Sequence, residues 1–243
     1  MADLNAHRRK VAGAYHKFAG GYDRLLRAFD LMAPFGFDLN AWRQQAVDAL
    51  ELKPGDTVVD VGCGTGANLP LLRAAVGPEG HVIGVDLSSE MLRHAKQRAD
   101  DEGWDNVDLV CMDAGGFAFP KDVDGVLATW SLILIPAADE VVARACEALR
   151  PGGRLSVMDM RWPDNWPHEL RHVFFWLGPL GVDADTLRRR PWVAIHDTAE
   201  ARLDDVRSRR FWYDMMYRLA GTKAPGEHTL EAGAAAVGAF PGN

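Results

Sequence analysis

The clearest pattern in the chain is a repeat of short apolar runs alternating with helical periodicity between residues 55 and 160. Thr57–Val61 is a β-branched run that stops at glycines, and Ala67–Ala75 reads as a helix. His81–Val85 is a second strand. Ser88 then stands as a helix N-cap, with the helix running to about Asp101. Val107–Met112 and Val123–Trp130 read as the third and fourth strands. Pro136 opens a helix to Arg150, at a first-turn position where its missing N–H costs nothing. Pro151-Gly152-Gly153 reads as the stop, and Arg154–Asp159 as a fifth strand. Strands that alternate with helices imply a parallel sheet with right-handed crossovers. Their nearly continuous apolar character implies that helices cover both faces.

The flanks read differently. Residues 6–50 are helical in pattern, with Val11, Tyr15 and Phe18 on one face and Trp42–Leu50 as a further helix. Glu169–Leu177 is an aromatic-rich helix and Pro191–Ala201 another. Val206–Trp212 and Met215–Ala220 form two closing strands joined tightly, and the end of the chain is rich in Gly, Ala and Pro without periodicity. The implied organisation is a helical lid over 1–50, a core over 51–221 with a helical insertion at about 163–200, and a flexible tail over 222–243.

Composition narrows the function. With 243 residues and 48% hydrophobic content, the chain can bury a sizeable core. A formal charge of −7 argues against a nucleic-acid partner. Cys63, Cys111 and Cys146 are odd in number and share no metal-ligand spacing, so no metal site is expected and a reducing cytoplasm fits. No apolar run is long enough to span a bilayer. The charge is uneven: acidic residues crowd the middle, while Arg8, Arg9, Lys10 and Lys17 and then Arg188, Arg189, Arg190, Arg207, Arg209 and Arg210 make the two flanks basic. Either these are solvated faces, or they meet an anionic membrane as a peripheral contact.

The strongest chemical signal is Val58-Val59-Asp60-Val61-Gly62-Cys63-Gly64-Thr65-Gly66. Glycines directly after a first strand let the backbone turn sharply and approach a ligand. The spacing formally fits a dinucleotide fingerprint, but Asp60 before the loop would repel a pyrophosphate. A cationic amino group would be welcome there, and S-adenosylmethionine carries an ammonium, a sulfonium and no phosphate. Asp86 ends the second strand where a carboxylate can accept from both ribose hydroxyls. Asp113 follows the third strand and can accept from an adenine amino group, or serve as a turn aspartate. Met91 can pack on adenine or in the core.

These residues resemble class I S-adenosylmethionine-dependent methyltransferases. The carrying motifs are VVDVGCGTG (58–66), GVDLSSEML (84–92), CMDA (111–114) and ALRPGGRL (148–155). The resemblance implies an α/β, Rossmann-like seven-stranded sheet of order 3-2-1-4-5-7-6, with strand seven antiparallel. It also implies S-adenosyl-L-methionine as cofactor, S-adenosyl-L-homocysteine as product, and no metal. Carried over by position, Asp60, Gly62, Cys63, Gly64, Thr65 and Gly66 hold the methionine end, Asp86 the ribose, and Asp113 and Ala114 the adenine, with Leu87 also among the cofactor-binding residues. Trp130 and Ser131 face the transferring methyl, and Tyr22 closes over the cofactor. Outside the core, Tyr15, Phe18, Tyr22-Asp23 and Trp42-Arg43 are similar to the helices of menaquinone-type quinone C-methyltransferases. Asp159–Pro163, Trp166-Pro167 and Arg188–Trp192 look more like bacterial phospholipid N-methyltransferases.

Transfer from a sulfonium is an in-line displacement that needs alignment in a dry site. His168 is the histidine in the segment after the fifth strand, a candidate base or a surface residue. A phospholipid acceptor needs a cationic phosphate anchor; Arg161 is the first candidate and Arg190, with its neighbours, the second. Tyr15 is placed against the acceptor. The first reading is N-methylation of a phospholipid amine such as phosphatidylethanolamine. The second is C- or O-methylation of a quinol or other small hydrophobic molecule. The third is a noncatalytic binding module.

Overall fold

The structure, a computed structural model, describes residues 37–167, 182 and 184–225. Tyr15, Tyr22, His168, the Glu169–Leu177 helix and the tail from residue 226 onward lie outside the described residues; the tail expected from 222 starts later, since Thr222 is the last residue of β7 and Lys223 N donates to the Gly153 carbonyl. The elements in order are α1 (Leu39–Asp48), β1 (Thr57–Val61), α2 (Leu69–Val76), β2 (His81–Asp86), α3 (Ser89–Asp101), β3 (Val107–Cys111), β4 (Val123–Thr129), a 3-10 turn (Leu132–Leu134), α4 (Ala138–Ala148), β5 (Leu149–Met160), α5 (Ala184–Arg189), α6 (Pro191–Glu200), β6 (Asp204–Phe211) and β7 (Met216–Thr222).

The strands form one seven-stranded sheet in the order β3-β2-β1-β4-β5-β7-β6. β1 to β5 pair in parallel, while β7 runs antiparallel to both β5 and β6. The expected topology is therefore the observed one. It puts the ends of β1, β2, β4 and β5 and the start of β7 along one edge, with the order reversing between β1 and β4. A ligand crevice belongs at that reversal.

Residue alternation along β1 feeds two apolar layers. Val58 packs with Leu39, Trp42, Ala46, Leu69, Leu72 and Ala95 on the α1–α3 face. Val59 and Val61 pack with α4 and α6 on the other face. Asp60 shares the parity of Val58, which turns its side chain toward the face carrying α1 and α2.

Several boundaries differ from the sequence reading. α1 starts at Leu39 rather than Trp42, because Asp38 caps it by accepting the Ala41 N–H at 2.8 Å. Ser88 caps α3 as anticipated, accepting from Met91 N. α2 begins at Leu69, after a turn over 65–68. α4 begins at Ala138, two residues after Pro136. Pro151-Gly152-Gly153 is part of β5 and not a free loop: Leu149 already pairs with Val123, and the register shifts before Gly125 pairs with Arg154. A Cβ on Gly153 would sit 2.9 Å from the Val123 carbonyl oxygen, so glycine lets the chain pass against β4 through this irregularity. Among the described residues, no helix is long and apolar enough to cross a membrane.

Candidate active site

A deep cleft lies at the β1/β4 reversal. Its walls come from the glycine loop, the ends of β2 and β3, the turn after β4, and α1. The loop is built by backbone demands. Gly62, Gly64 and Gly66 all have positive φ (70°, 56° and 76°). They do different things. A Cβ on Gly62 would lie 2.3 Å from Ser131 Cβ, so β1 and the β4 turn touch only because no side chain is there. Ser131 reinforces the contact by donating its hydroxyl to the Val61 carbonyl at 2.7 Å. Gly64 has nothing within 4 Å of the corresponding position and opens onto the cleft. Gly66 lies outside the cleft lining; its missing side chain makes room for Leu69 and Ala95. Its role here is packing.

Asp60 is fully buried. Burial pushes its carboxyl up to about 7, with Asp86 adding repulsion and Asn68 and Arg43 opposing it. Asn68 Nδ2 donates to both Asp60 oxygens at 3.2 Å and to Thr129 Oγ1 at 2.9 Å. Asp86 accepts from Gly64 N at 2.9 Å and Ser88 N at 2.8 Å, so it braces the glycine loop while facing the cleft. Its carboxyl is raised too, chiefly by burial. Asp113 accepts from Gly115 N at 2.7 Å in an Asx turn on the cleft wall.

Leu87 and Met112 are apolar side chains left 37% and 44% exposed, and both line the cleft. An apolar ligand face would cover them. Met91 lines it too, but is almost wholly buried. At the far end, Trp130 has φ 50°, a backbone conformation that bulky residues rarely adopt. Its ring lies under the Arg43 guanidinium, 4.7 Å from the centroid. Leu134, Ile135, Pro136 and Ala137 continue this wall as an apolar surface.

Of the residues expected to bind cofactor, Asp60 lies beneath the cleft as a partner of its lining residue Asn68. Gly62, Cys63, Gly64, Thr65, Asp86, Leu87, Met91, Asp113, Ala114, Trp130 and Ser131 all line it, and Gly66 does not. Sequence reading missed Arg43, Asn68 and Met112 as lining residues. Arg161 and Arg190 are not on the cleft wall. Arg161 is buried and donates to Asp214 at 2.6 Å and Asp164 at 2.7 Å; Arg190 donates to the other Asp164 oxygen at 2.9 Å. The phosphate anchor expected in Arg161 is thus an internal ion pair.

The site fits a nucleoside joined to a cationic amino acid. A buried carboxyl held near 7 lacks a full counter-charge, a glycine opens onto free space, and apolar side chains await a planar partner. The comparisons agree. Residues 58–153 match the methyltransferase domain family. The chain is 32% identical over 153 residues to an aklanonic acid methyltransferase of a Streptomyces species, covering 63% of this chain and 66% of that enzyme. It is 28% identical over 175 residues to a demethylmenaquinone methyltransferase of Listeria welshimeri, covering 70% and 72%. In fold it is similar to a phosphoethanolamine N-methyltransferase of Haemonchus contortus, solved with S-adenosyl-L-methionine, at TM-score 0.62 and 18% identity over 81% of this chain and 56% of that one. The sheet order, the glycine loop and these matches place the chain in one family: it belongs to the class I S-adenosylmethionine-dependent methyltransferases.

Proposed function

We propose that this methyltransferase acts on a small hydrophobic acceptor with an oxygen-acid or enolisable ring nucleophile, of the hydrophobic acid or quinol kind. The observation that carries this reading is the transfer end of the cleft. Trp130, Leu134, Ile135, Pro136 and Ala137 form an apolar wall, and the charge beside it is the Arg43 cation. An apolar wall suits a flat hydrophobic ring system, and a fixed cation favours a nucleophile carrying negative charge. The similarity to enzymes named for aklanonic acid and for demethylmenaquinone points the same way.

When bound, S-adenosylmethionine supplies a methyl on a sulfonium, whose S–C bond breaks with its electron pair going to sulfur as the bond from the acceptor nucleophile to the methyl carbon forms. The protein positions. Asp86 fixes the nucleoside end, residues 62–65 of the glycine loop border the methionine end, and Asp60 with Asn68 balances the positive charge there. Trp130, held in its left-handed conformation by its N–H to the Met158 carbonyl at 2.8 Å, sets the far wall. Alignment of this kind in a water-poor cleft supplies much of the acceleration. Among the described residues, no histidine lines the cleft. A carboxylic acceptor arrives already ionised and needs no base; a quinol gives its proton to solvent or to a group outside the described residues.

Phospholipid amine methylation is the second reading. The exposed Arg190 and Arg210 beside Asp164 favour it, since they offer an anionic headgroup two partly solvated cations. Incubation with radiolabelled donor and separate pools of quinols, hydrophobic ring carboxylic acids and total phospholipid separates the two. Label in the aromatic pools is expected. Label confined to phospholipid, with flotation on anionic vesicles, would replace the first reading with the second.

A further inference from the structure

We infer that Asp159 is the positioning residue of the acceptor wall, clamping from beneath the turn after β4 that carries Trp130 and the 134–137 segment. This deepens the acceptor reading above and rests on it.

The first observation is a gap in the wall. From Thr129 to Ala137 every residue lines the cleft except Leu132 and Ile133. Those two turn inward and are almost wholly buried in the core on the α4 and α6 face. They are also the first two residues of the 3-10 turn, where backbone N–H groups have no partner within the turn. The residue before them, Ser131, makes no capping bond, because its hydroxyl is spent on the Val61 carbonyl. A carboxylate 26 residues further on does the capping instead: Asp159 Oδ2 accepts the Ile133 N–H at 2.9 Å. Its Oδ1 accepts the Met160 N–H at 2.8 Å.

The second observation is what this carboxylate does not do. Asp159 is 1% exposed and is absent from the cleft wall, so it acts on a ligand only through the turn. Tyr217 stands directly opposite it across β5 and β7, yet the buried Tyr217 hydroxyl has no hydrogen-bond partner. Burial pushes the Asp159 carboxyl up to about 7, against backbone hydrogen bonds from Ile133, Met160 and Leu132. A buried carboxyl is costly where an apolar side chain would fill the same space, and here its return is a fixed turn. The residue before it completes the grip, since the Met158 carbonyl accepts the Trp130 N–H at 2.8 Å. Two successive residues of β5 thus hold the wall on both sides of Ser131, which is itself tied to β1.

The test reads amide hydrogen exchange by mass spectrometry on the peptide spanning residues 131–135, which needs no ligand. Beside it run titrations with S-adenosylhomocysteine and then, with that ligand bound, with naphthoate as a hydrophobic ring acid. Asp159→Asn keeps the size of the side chain but offers one acceptor oxygen to the Ile133 and Met160 N–H groups. It is expected to speed exchange in the peptide roughly tenfold and to weaken naphthoate roughly tenfold, with S-adenosylhomocysteine within about threefold of wild type. Asp159→Glu restores the second oxygen and is expected to fall between wild type and Asp159→Asn. Tyr217→Phe removes a hydroxyl that bonds to nothing and is expected to leave all three readouts unchanged. Unchanged exchange in Asp159→Asn, or an equal loss of both ligands, would reduce Asp159 to a core residue and overturn the inference. Where Asp159→Asn does not fold, Asp159→Glu decides: selective weakening of naphthoate supports the clamp, and equal weakening of both ligands refutes it. Wild-type protein that binds S-adenosylhomocysteine but not naphthoate counts against the hydrophobic-acid acceptor, and the exchange rate then decides the clamp by itself.

Discussion

At the end of β1, Asp60 is fully buried and its nearest polar companion is a neutral amide. At the end of β5, Arg161 is almost as deep, yet two carboxylates grip it and Arg190 and Arg210 crowd the same aspartate. Both lie on the ligand edge of one sheet. The β1 side carries an incompletely balanced charge beneath a cleft, so a ligand in that cleft can balance it. The β5 side has satisfied its charges internally, so its arginines tie chain segments together. Burial of a charged group at a sheet edge does not by itself mark a binding site; what matters is whether the protein has already neutralised it.

The sharpest break of this comparison comes from the glycine loop. Gly62→Ala would put a methyl 2.3 Å from Ser131 Cβ at a residue with φ 70°. A loss of about 3 kcal/mol or more is expected, read as a large fall in the thermal midpoint, since overpacking and backbone strain add. Gly64→Ala has the same backbone strain but open space, so it should cost only about 1 kcal/mol of stability. It should damage donor affinity more than the fold. Equal destabilisation by both would undo the distinction between a packing glycine and a ligand glycine.

Asp60→Asn comes next. Removing the anion should cost roughly 100-fold in S-adenosylhomocysteine affinity, the scale of a charge-assisted hydrogen bond in a buried site. The same variant should be more stable than wild type without ligand at pH 8. The sign follows from linkage. The folded carboxyl titrates at about 7 and the ordinary value is 3.8, so the folded state binds more protons between those limits. The stability this group contributes is present below about pH 4 and is lost as pH rises through 7. Donor binding favours the ionised form, so affinity should rise with pH up to about 7 and then level off, with proton release on binding. Asp60→Asn should flatten that profile. Asp86 lines the cleft above Asp60 and also has a raised carboxyl, so the residual slope in the variant measures its share.

Much of the β1 side was legible in the sequence because its demands are local. Sharp turns need glycines, a strand-end carboxylate stands next to its loop, and Ser88 precedes its helix. Arg43 and Asn68 were not legible as site residues. One is 17 positions before Asp60, on a helix whose rotation is set by packing; the other looks like an ordinary N-cap. The β5 side was legible in topology but not in chemistry. Arg161 meets Asp214, 53 residues away, through a β6–β7 turn in which Trp212, Tyr213 and Asp214 all adopt positive φ without a glycine. Nothing in the local sequence announces three left-handed residues in succession, so the tight connection was foreseen but its fold was not.

That turn supplies the smallest predicted effects. Asp164 holds Arg161, Arg190 and Arg210, and Arg161 draws its carboxyl below the usual value. Asp164→Asn should cost about 1–2 kcal/mol, because Arg161 is buried and loses one of its two carboxylates while keeping Asp214. Arg210→Gln should change stability by about 0.5 kcal/mol or less, since Arg210 is largely exposed and its contacts are long at 3.4 and 3.9 Å. Neither variant should move donor affinity, because neither residue lines the cleft. Acceptor KM then decides what the surplus cation is for. Three arginines face two aspartates here, which leaves Arg190 and Arg210 only partly neutralised at the surface. If Arg210→Gln raises KM for an anionic acceptor several-fold at unchanged stability, the β5 side also binds ligand and the contrast with β1 narrows to one of degree. If KM is unmoved, the arginines are structural ties and the anionic selectivity rests with Arg43.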